Sequence, residues 1–264
     1  MVTFLESVGE TRSGPVSYAE AGVGPPRLAL HSLLTDRRAF DPVVEGLGGR
    51  VIAMDLPGFG ATTPAPPSID SYADRVADFV ETLGVDHEEL TLIGNGLGAF
   101  VALGVAIRHQ ELIGRLVLVG CGRSFSEEAK RAFTGMAEKV RLGGMEAVIP
   151  IALLRIFTEP YLAHHPEAAA ERAAVLRQTD TDAFVTACQA LTAMDYESGA
   201  SAIVAPTMIV VGEEDQATPP QMAEELHATI PDSKLAIIPG LAHAPQLQDP
   251  PRFLEVIMPF LETR

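Results

Sequence analysis

The feature that most constrains the fold of this chain is the alternation of short apolar runs with longer segments of helical period. Runs rich in β-branched and aliphatic residues are typical of strands buried on both faces, and parallel strands need long crossover connections that are usually helical. The pattern therefore predicts an α/β fold with a mostly parallel sheet and helices on both faces. Eight strands are expected, near residues 2–7, 16–21, 27–31, 50–55, 89–94, 115–120, 207–212 and 234–239.

Helices are expected in the gaps between these strands, because each crossover has to return the chain to the same edge of the sheet. They are predicted near residues 37–47, 70–84, 97–109, 219–230 and 250–263.

One long interval breaks the alternation. Residues 124–200 are rich in Ala, Glu, Arg and Met, have helical spacing and contain no convincing strand. We expect an inserted helical cap there, on a core domain made of residues 1–123 and 201–264. Pro150, Pro160 and Pro166 are expected to separate the helices of the cap, because proline disrupts a helix interior.

Composition narrows the classes of partner. A net charge of -16 over 264 residues repels phosphate backbones and anionic lipid surfaces, so neither nucleic acid nor a membrane is expected as a partner. No apolar run reaches the roughly 18 residues of a membrane span, and the N-terminal segment MVTFLESVGE lacks the layout of a signal peptide. We therefore expect a cytoplasmic protein with a small-molecule substrate.

The two cysteines, Cys121 and Cys188, are too few for a disulfide framework and show no metal-ligand spacing. No metal and no cofactor is expected, and the oligomeric state is left open.

The segment LIGNGLGAF at residues 92–100 holds the most informative motif. An apolar strand runs into a helix through the turn Gly94-Asn95-Gly96-Leu97-Gly98, which has the spacing of the G-x-S-x-G nucleophile elbow. Gly96 stands where that motif has its serine. Position 96 therefore offers no side chain for covalent chemistry.

Other polar residues follow the ends of predicted strands, where doubly wound sheets bind their ligands. The third strand ends at His31 and Ser32, Asp215 follows the seventh strand and His243 follows the eighth. Position 96, then Asp215, then His243 is the chain order of nucleophile, acid and base in one large group of hydrolases.

On these residues the chain closely resembles proteins of the α/β-hydrolase fold over nearly its whole length. The segments that carry the resemblance are VIAMDLPGFGAT, LIGNGLGAF, IVAPTMIVVGEEDQATPP and IIPGLAHAPQLQDPPRFLEVIMPFL. Within that superfamily, HSLLTDRRAFDP together with the histidine-containing ending is most similar to 3-oxoadipate enol-lactonases and related small esterases and carbon–carbon hydrolases.

The resemblance implies a role for each site residue. Asp215 orients His243, His243 is the base, and Gly96 is the vacant nucleophile position. The backbone N–H groups of Leu33 and Leu97 form the oxyanion hole.

Four more residues are candidates for lining the substrate pocket: His31, Ser32, Asn95 and Cys121. Many relatives have His-Gly where this chain has His31-Ser32, although enol-lactonase-like proteins tolerate serine at the second position. The Ser32 hydroxyl is expected to bond to nearby backbone, and Cys121 is expected to be a small buried apolar residue. Arg37 and Arg38 fit either a clamp for a substrate carboxylate or an exposed first helical turn.

The missing side chain argues against an acyl-enzyme at position 96. An intact Asp215–His243 pair can still deprotonate water or an acidic C–H or O–H group, while the hole stabilises an enolate or a tetrahedral oxyanion. The expected substrates are small or medium apolar esters, lactones, thioesters or polyketide-like carbonyl compounds, and the expected reactions are hydrolysis, cyclisation, elimination or decarboxylation. A serine hydrolase inactivated by substitution at Gly96, of natural or engineered origin, and a non-catalytic binding protein remain as alternatives.

Overall fold

The fold is built on one eight-stranded sheet, seen in a computed structural model that describes residues 4–263. The strand order is β1-β2-β4-β3-β5-β6-β7-β8; β2 pairs antiparallel with β1 and with β4, and all other neighbours are parallel. The mostly parallel sheet expected from the sequence is confirmed. The strands are β1 (Leu5–Thr11), β2 (Gly14–Ala21), β3 (Pro26–Leu30), β4 (Arg50–Met54), β5 (Thr91–Asn95), β6 (Arg115–Val119), β7 (Thr207–Gly212) and β8 (Ser233–Ile238).

The first strand differs most from its prediction. It was expected near residues 2–7, of which 2 and 3 lie outside the described residues, and it runs on to Thr11 as one arm of a hairpin with β2. Its side chains alternate between exposed and half-buried, because β1 is an edge strand with one face in water. The second half of β1 therefore has no apolar run from which the sequence could predict it.

The helices outside the insertion fall near their predicted positions, with one change of type and one short helix, Pro245–Gln248, that was not predicted. Residues 37–47 begin as a 3₁₀ helix, Arg37–Val43, which contains Pro42, a residue without a backbone N–H to donate. The α-helices outside the insertion are α1 (Val44–Leu47), α2 (Ile69–Thr82), α3 (Leu97–Arg108), α9 (Pro220–His227), α10 (Pro245–Gln248) and α11 (Pro250–Leu261).

The central strands are buried on both faces, which explains their continuous apolar runs. In β4, Ile52 and Met54 face the core layer that contains α2 and α3, whereas Val51 and Ala53 face the layer that contains α1 and α11. Alternate side chains of a strand point to opposite faces, so each strand contributes to both layers.

The interval from Ser124 to Ala200 is helical, and the part of it that forms regular elements contains five α-helices. They are α4 (Glu127–Gly143), α5 (Ile149–Ile156), α6 (Glu159–His164), α7 (Pro166–Gln178) and α8 (Thr181–Ala193). An isolated bridge between Ser124 and Asp195 joins the two ends of the insertion. We propose that these helices form the cap, and we call them the cap helices below.

The three prolines of the insertion begin helices instead of standing between them. Pro150, Pro160 and Pro166 each lie at the first or second position of α5, α6 and α7. A proline is tolerated there because the first N–H groups of a helix have no intrahelical acceptor.

Within residues 4–263, no helix combines the length and the apolar character that crossing a membrane requires.

Candidate active site

The candidate site lies where four strands of the sheet end. Ser32 follows β3, Gly96 follows β5, Asp215 follows β7 and His243 follows β8. These strands are neighbours or near neighbours and run parallel, so the segments after them meet at one edge of the sheet.

The Asp215 carboxylate and the His243 imidazole form a direct pair. Nδ1 of His243 lies 2.8 Å from Oδ2 of Asp215, and both side chains are buried. A carboxylate next to Nδ1 fixes the tautomer in which Nδ1 carries the proton and Nε2 is the acceptor. The imidazole is therefore oriented to take a proton through Nε2.

Three donors from the loop after β7 hold the Asp215 carboxylate. Oδ1 accepts from the backbone N–H groups of Ala217 at 2.8 Å and Thr218 at 2.9 Å, and Oδ2 accepts from the Thr218 hydroxyl at 2.7 Å. Hydrogen bonds of this kind offset the cost of burying a carboxylate. Sequence reasoning missed Thr218, although Asp side chains commonly accept hydrogen bonds from the residues that follow them in a turn.

The Asn95 side chain bonds to the segment that carries His243 and does not line the cavity at the Asp215–His243 pair. This corrects its assignment as a pocket residue. Its amide donates to the carbonyl oxygen of His243 at 2.8 Å and to that of Val119 at 3.3 Å. Its oxygen accepts from Nε2 of Gln246 at 2.9 Å. The buried amide thereby ties the end of β5 to the segment that carries the base.

The turn at residues 94–98 has the sharp geometry that its glycines suggested. Gly96 has φ 53° and ψ -117°, in the left-handed half of conformational space. At Gly98 a Cβ atom would collide with the carbonyl group of Leu30, so the start of α3 can pack against β3 only without a side chain there.

The space beside Gly96 is taken by two neighbouring side chains. A Cβ atom built on residue 96 would lie 2.5 Å from Nε2 of His243 and closer still to Oγ of Ser32. Oγ of Ser32 itself lies 3.3 Å from that Nε2 atom. The expectation that the Ser32 hydroxyl bonds to backbone is wrong: among the described residues its partner is the imidazole.

The amides expected to form the oxyanion hole border the same cavity. Leu33 and Leu97 line it together with Ser32, Gly96 and His243. In the described part of the chain, neither the Leu33 N–H nor the Leu97 N–H donates a hydrogen bond to another protein group. Both amides are thus available to a ligand, and their role as an oxyanion hole is a proposal.

The cavity at the pair is small and mostly apolar, with a volume of about 30 Å³. Its apolar walls come from the core, from the segment before α4 and from cap helices α4 and α8, and they include Phe100, Phe125, Phe133, Met136 and Leu191. A void of about 10–15 Å³ is enough for one water, so the space in this conformation is far below that of a drug-sized ligand.

A larger groove adjoins this cavity. Its volume is about 720 Å³, and it shares Phe125, Phe133, Arg155 and Ala217 with the cavity. Binding sites for small molecules commonly have volumes of about 300–1,000 Å³. The groove is therefore large enough to bind a small molecule next to the Asp215–His243 pair.

Arg155 of α5 is the cation that borders both spaces. Burial lowers its pKa, and the nearby Asp215 charge opposes that shift. Within residues 4–263 no carboxylate lies within 4.0 Å of its guanidinium as an ion-pair partner. Sequence reasoning missed Arg155, because nothing in the cap composition distinguishes it from other arginines.

His31 was predicted to line the pocket, and the structure corrects this. Its Nδ1 donates to the carbonyl oxygen of Ser32 at 2.8 Å, and its Nε2 accepts from the Leu56 N–H at 3.1 Å. The ring also stands edge-on to Phe59. Complete burial lowers the pKa of His31, so the neutral ring serves to fix the loop after β3.

Cys121 and the arginine pair also lie away from the cavity. Cys121 is completely buried, its thiol faces the carbonyl oxygen of Gly122, and burial raises its pKa, so its assignment as a pocket residue is wrong. Arg37 pairs with Glu6, and Arg38 pairs with Asp36. Neither arginine lines the cavity at His243.

Between cap helices α6 and α7, Nδ1 of His165 lies 3.1 Å from a carboxylate oxygen of Glu167, and both side chains are exposed. In the described residues no group of three potential metal ligands comes together.

Comparisons with known proteins place this geometry in context. Residues 28–256 match the sequence model described as Alpha/beta hydrolase family. RutD of Rhizobium rhizogenes, by its name a proposed carbamate hydrolase, is 27% identical over 230 residues, which cover 84% of this chain and 87% of that protein.

Two solved structures share the architecture over almost the whole chain. An enol-lactonase from Burkholderia xenovorans LB400 has a TM-score of 0.91 at 24% identity and covers 97% of this chain and 100% of its own; at that identity the likeness concerns the fold alone. A thermophilic esterase from Thermogutta terrifontis has a TM-score of 0.86 at 27% identity and covers 97% and 98%.

Proposed function

We propose that this chain, which belongs to the alpha/beta hydrolase family, is an enzyme that uses the Asp215–His243 pair on the carbonyl group of a small or medium, largely apolar ester, lactone, thioester or polyketide-like compound. The single observation that carries the proposal is the 2.8 Å contact between Nδ1 of His243 and Asp215, with Nε2 turned toward a cavity. Hydrolysis is the leading reaction, since the relatives include an esterase and a proposed carbamate hydrolase.

The chemistry follows from the positions of the groups. His243 accepts a proton through Nε2, and Asp215 stabilises the imidazolium that results. General-base catalysis of this kind contributes a factor of about 10² to 10⁴. Negative charge that develops on the substrate oxygen is placed next to the Leu33 and Leu97 N–H groups, at the start of α3, where the helix dipole favours an anion.

Residue 96 takes no covalent part in this scheme. In a well-studied protease, loss of the catalytic serine costs about 10⁶ in kcat, which corresponds to roughly 8 kcal/mol of transition-state stabilisation. An enzyme that depended on a nucleophile at position 96 would therefore be close to inactive with Gly96.

The test is hydrolysis of p-nitrophenyl esters and simple lactones of graded size by the wild-type protein and by His243→Ala. We expect the variant to lose a factor of about 10² to 10⁴ in kcat/KM. His227→Ala is the matched control, because His227 is a surface histidine bonded to Ser233 and lines neither the cavity nor the groove, and it should leave the rate unchanged. Equal rates for the wild type and His243→Ala would rule out this function.

A second candidate is a serine hydrolase that has lost its nucleophile. The intact relay and the φ 53°, ψ -117° turn at Gly96 favour it. Gly96→Ser would then restore a large activity and an adduct with a fluorophosphonate at residue 96. If the proposed function is right, the same substitution crowds His243 and Ser32 and lowers the activity.

A non-catalytic binding protein on this fold is the remaining alternative. Turnover of any of the esters that depends on His243 excludes that role.

A further inference from the structure

We infer that the hydroxyl of Ser32 is the nucleophile that His243 activates, so that an ester or lactone substrate acylates Ser32. The inference rests on the proposed function, because it needs His243 as the base. It adds a covalent step at a residue of the loop after β3, outside the elbow turn.

The first support is the position of the hydroxyl. Oγ of Ser32 lies 3.3 Å from Nε2 of His243, within the range of nucleophile and base in a resting enzyme, where such contacts are often looser than 3.2 Å. It also occupies the place where a side chain on residue 96 would begin, since a Cβ atom there would collide with it. Gly96 thus permits the contact between Ser32 and the base.

The direction of the hydrogen bond is the second support. Asp215 holds the proton of the imidazole on Nδ1, so Nε2 can only accept. The Ser32 hydroxyl is therefore the donor, and its proton already points at the atom that has to receive it.

The loop that carries Ser32 is fixed through its backbone, which leaves the hydroxyl to the imidazole. The Ser32 N–H donates to the Thr35 hydroxyl at 3.0 Å. The Ser32 carbonyl oxygen accepts from Nδ1 of His31 at 2.8 Å and from the Thr35 N–H at 3.2 Å. In the part of the chain that the structure describes, Oγ makes no hydrogen bond except the one to His243.

No rival group has these properties among residues 4–263. The Thr218 hydroxyl donates to Asp215 and lies on the Nδ1 side of the ring. The Cys121 thiol is buried against Gly122, and burial raises its pKa, which disfavours the reactive thiolate. Position 96 has no side chain.

The reaction is balanced with water as the only other reactant. Oγ of Ser32 gives its proton to Nε2 of His243 and forms a bond to the carbonyl carbon, which places negative charge on the carbonyl oxygen near the Leu33 N–H, the next amide along the chain. Collapse breaks the bond to the leaving alkoxide, which takes the proton from His243. A water then gives a proton to His243 and attacks the acyl carbon, and the acid leaves as Ser32 regains its proton.

Labelling with a fluorophosphonate, followed by peptide mass mapping, tests the inference on the intact protein. We expect the wild type to carry the adduct on the peptide that contains Ser32, and we expect Ser32→Ala and His243→Ala to lose it. In parallel, hydrolysis of p-nitrophenyl butyrate should fall about 100-fold or more in Ser32→Ala. Ser201→Ala is the matched control on an exposed serine and should keep both the adduct and the rate.

The outcomes separate the inference from the function on which it rests. A wild type without an adduct at Ser32, or a Ser32→Ala variant that keeps its rate while His243→Ala loses it, overturns the inference and leaves the proposed function standing. Equal rates in the wild type and both variants overturn both. Unfolding temperatures of the variants show whether a loss of rate reflects a loss of fold, and Ser32→Cys, which keeps a nucleophile at the same place, should retain modification by an electrophile.

Discussion

Gly96 lies in a backbone conformation that other residues adopt only at a cost. Its φ of 53° is in the left-handed region, which costs an L-residue roughly 1–2 kcal/mol. A methyl group there would in addition meet Ser32 and His243. The residue therefore combines backbone strain with crowding at the reactive atoms, and the two effects can be measured apart.

We predict that Gly96→Ala destabilises the protein more than Gly84→Ala does and that only the former lowers activity. Gly84 has φ 61° and no atom within 4 Å of a Cβ, so its substitution measures backbone strain alone. Denaturant unfolding gives the two free-energy changes, and ester hydrolysis gives the rates. Equal destabilisation together with equal rates would show that the space beside Gly96 is not limiting.

His31 makes a contribution to stability that depends on pH. Burial lowers its pKa in the folded protein, and the nearby Asp55 charge opposes that shift only in part. Unfolding returns the ring to an ordinary pKa of about 6.5, so below that pH the unfolded chain binds a proton that the folded chain does not. The contribution of His31 to the free energy of unfolding should therefore fall as the pH drops from 7.5 toward 5.5.

The check is a pH series of urea unfolding for the wild type and His31→Asn. Asparagine keeps a donor near the Ser32 carbonyl but does not titrate, so its stability should fall less steeply over this range, although it starts lower. Parallel slopes would mean that other groups cause the pH dependence.

At the scale of single residues, the motifs of the sequence predict the pair that Asp215 and His243 form, but not the contact between Ser32 and His243. The motif positions follow from chain order and from strand ends. The contact of Ser32 with His243 arises because three separate loops pack together around a glycine, and no local pattern records it. Arg155 was missed for the same reason, whereas the contact of Thr218 with Asp215 is local, three residues along the chain.

Between elements, the Asn95 amide joins the end of β5 to the segment between β8 and α10. It is completely buried, and it satisfies the carbonyl oxygen of His243 itself. A buried carbonyl that loses its donor costs about 1–3 kcal/mol. The position of the imidazole thus depends on a side chain of the elbow strand.

We predict that Asn95→Ala lowers both stability, by about 1–3 kcal/mol, and ester hydrolysis. Gln246→Ala is the matched control, because it removes the bond to the Asn95 oxygen and leaves the bond to the His243 carbonyl intact. Its effect on the rate should be smaller. Unfolding curves and kcat/KM for both variants provide the comparison, and a larger rate effect for Gln246→Ala would contradict it.

The sequence predicts buried elements better than edge elements. Strands β4 to β7 are buried on both faces, so their apolar runs mark their positions closely. Strand β1 alternates between exposed and half-buried residues, and the 3₁₀ helix at Arg37–Val43 reads as an ordinary helix, because hydrophobic period does not distinguish the two types.

For the molecule as a whole, the cap helices limit the size of the space at the base. Met136 of α4 lines the small cavity, whereas Met145, buried to a similar extent, does not. The two methionines therefore differ in whether they line the cavity and not in how deeply they are buried.

We predict that Met136→Ala shifts the preference among p-nitrophenyl esters toward longer acyl chains, because it enlarges the cavity. Met145→Ala should cost a similar free energy, about 2–5 kcal/mol, without changing the preference. The ratio of kcat/KM for the butyrate and the octanoate measures the shift. An equal ratio in both variants would place the acyl group elsewhere, for instance in the adjoining groove.

The fold class follows from the alternation of strands and helices along the whole chain, since few architectures accommodate it. The detailed shape of the space under the cap does not follow, because it depends on how amphipathic helices of similar composition pack on the core. Phe133, Met136 and Leu191 are ordinary core residues in sequence and become pocket walls only in three dimensions.

The close approach of residue 32 to residue 96 limits which amino acids can occur together at these two positions in homologues. Because the two sites compete for one volume, a substitution at either should be accompanied by a compensating one at the other. Homologues with glycine at the turn should have a small hydroxyl residue after β3, and those with a bulkier residue at the turn should lack that hydroxyl. Covariation between these two columns of an alignment would record the exchange.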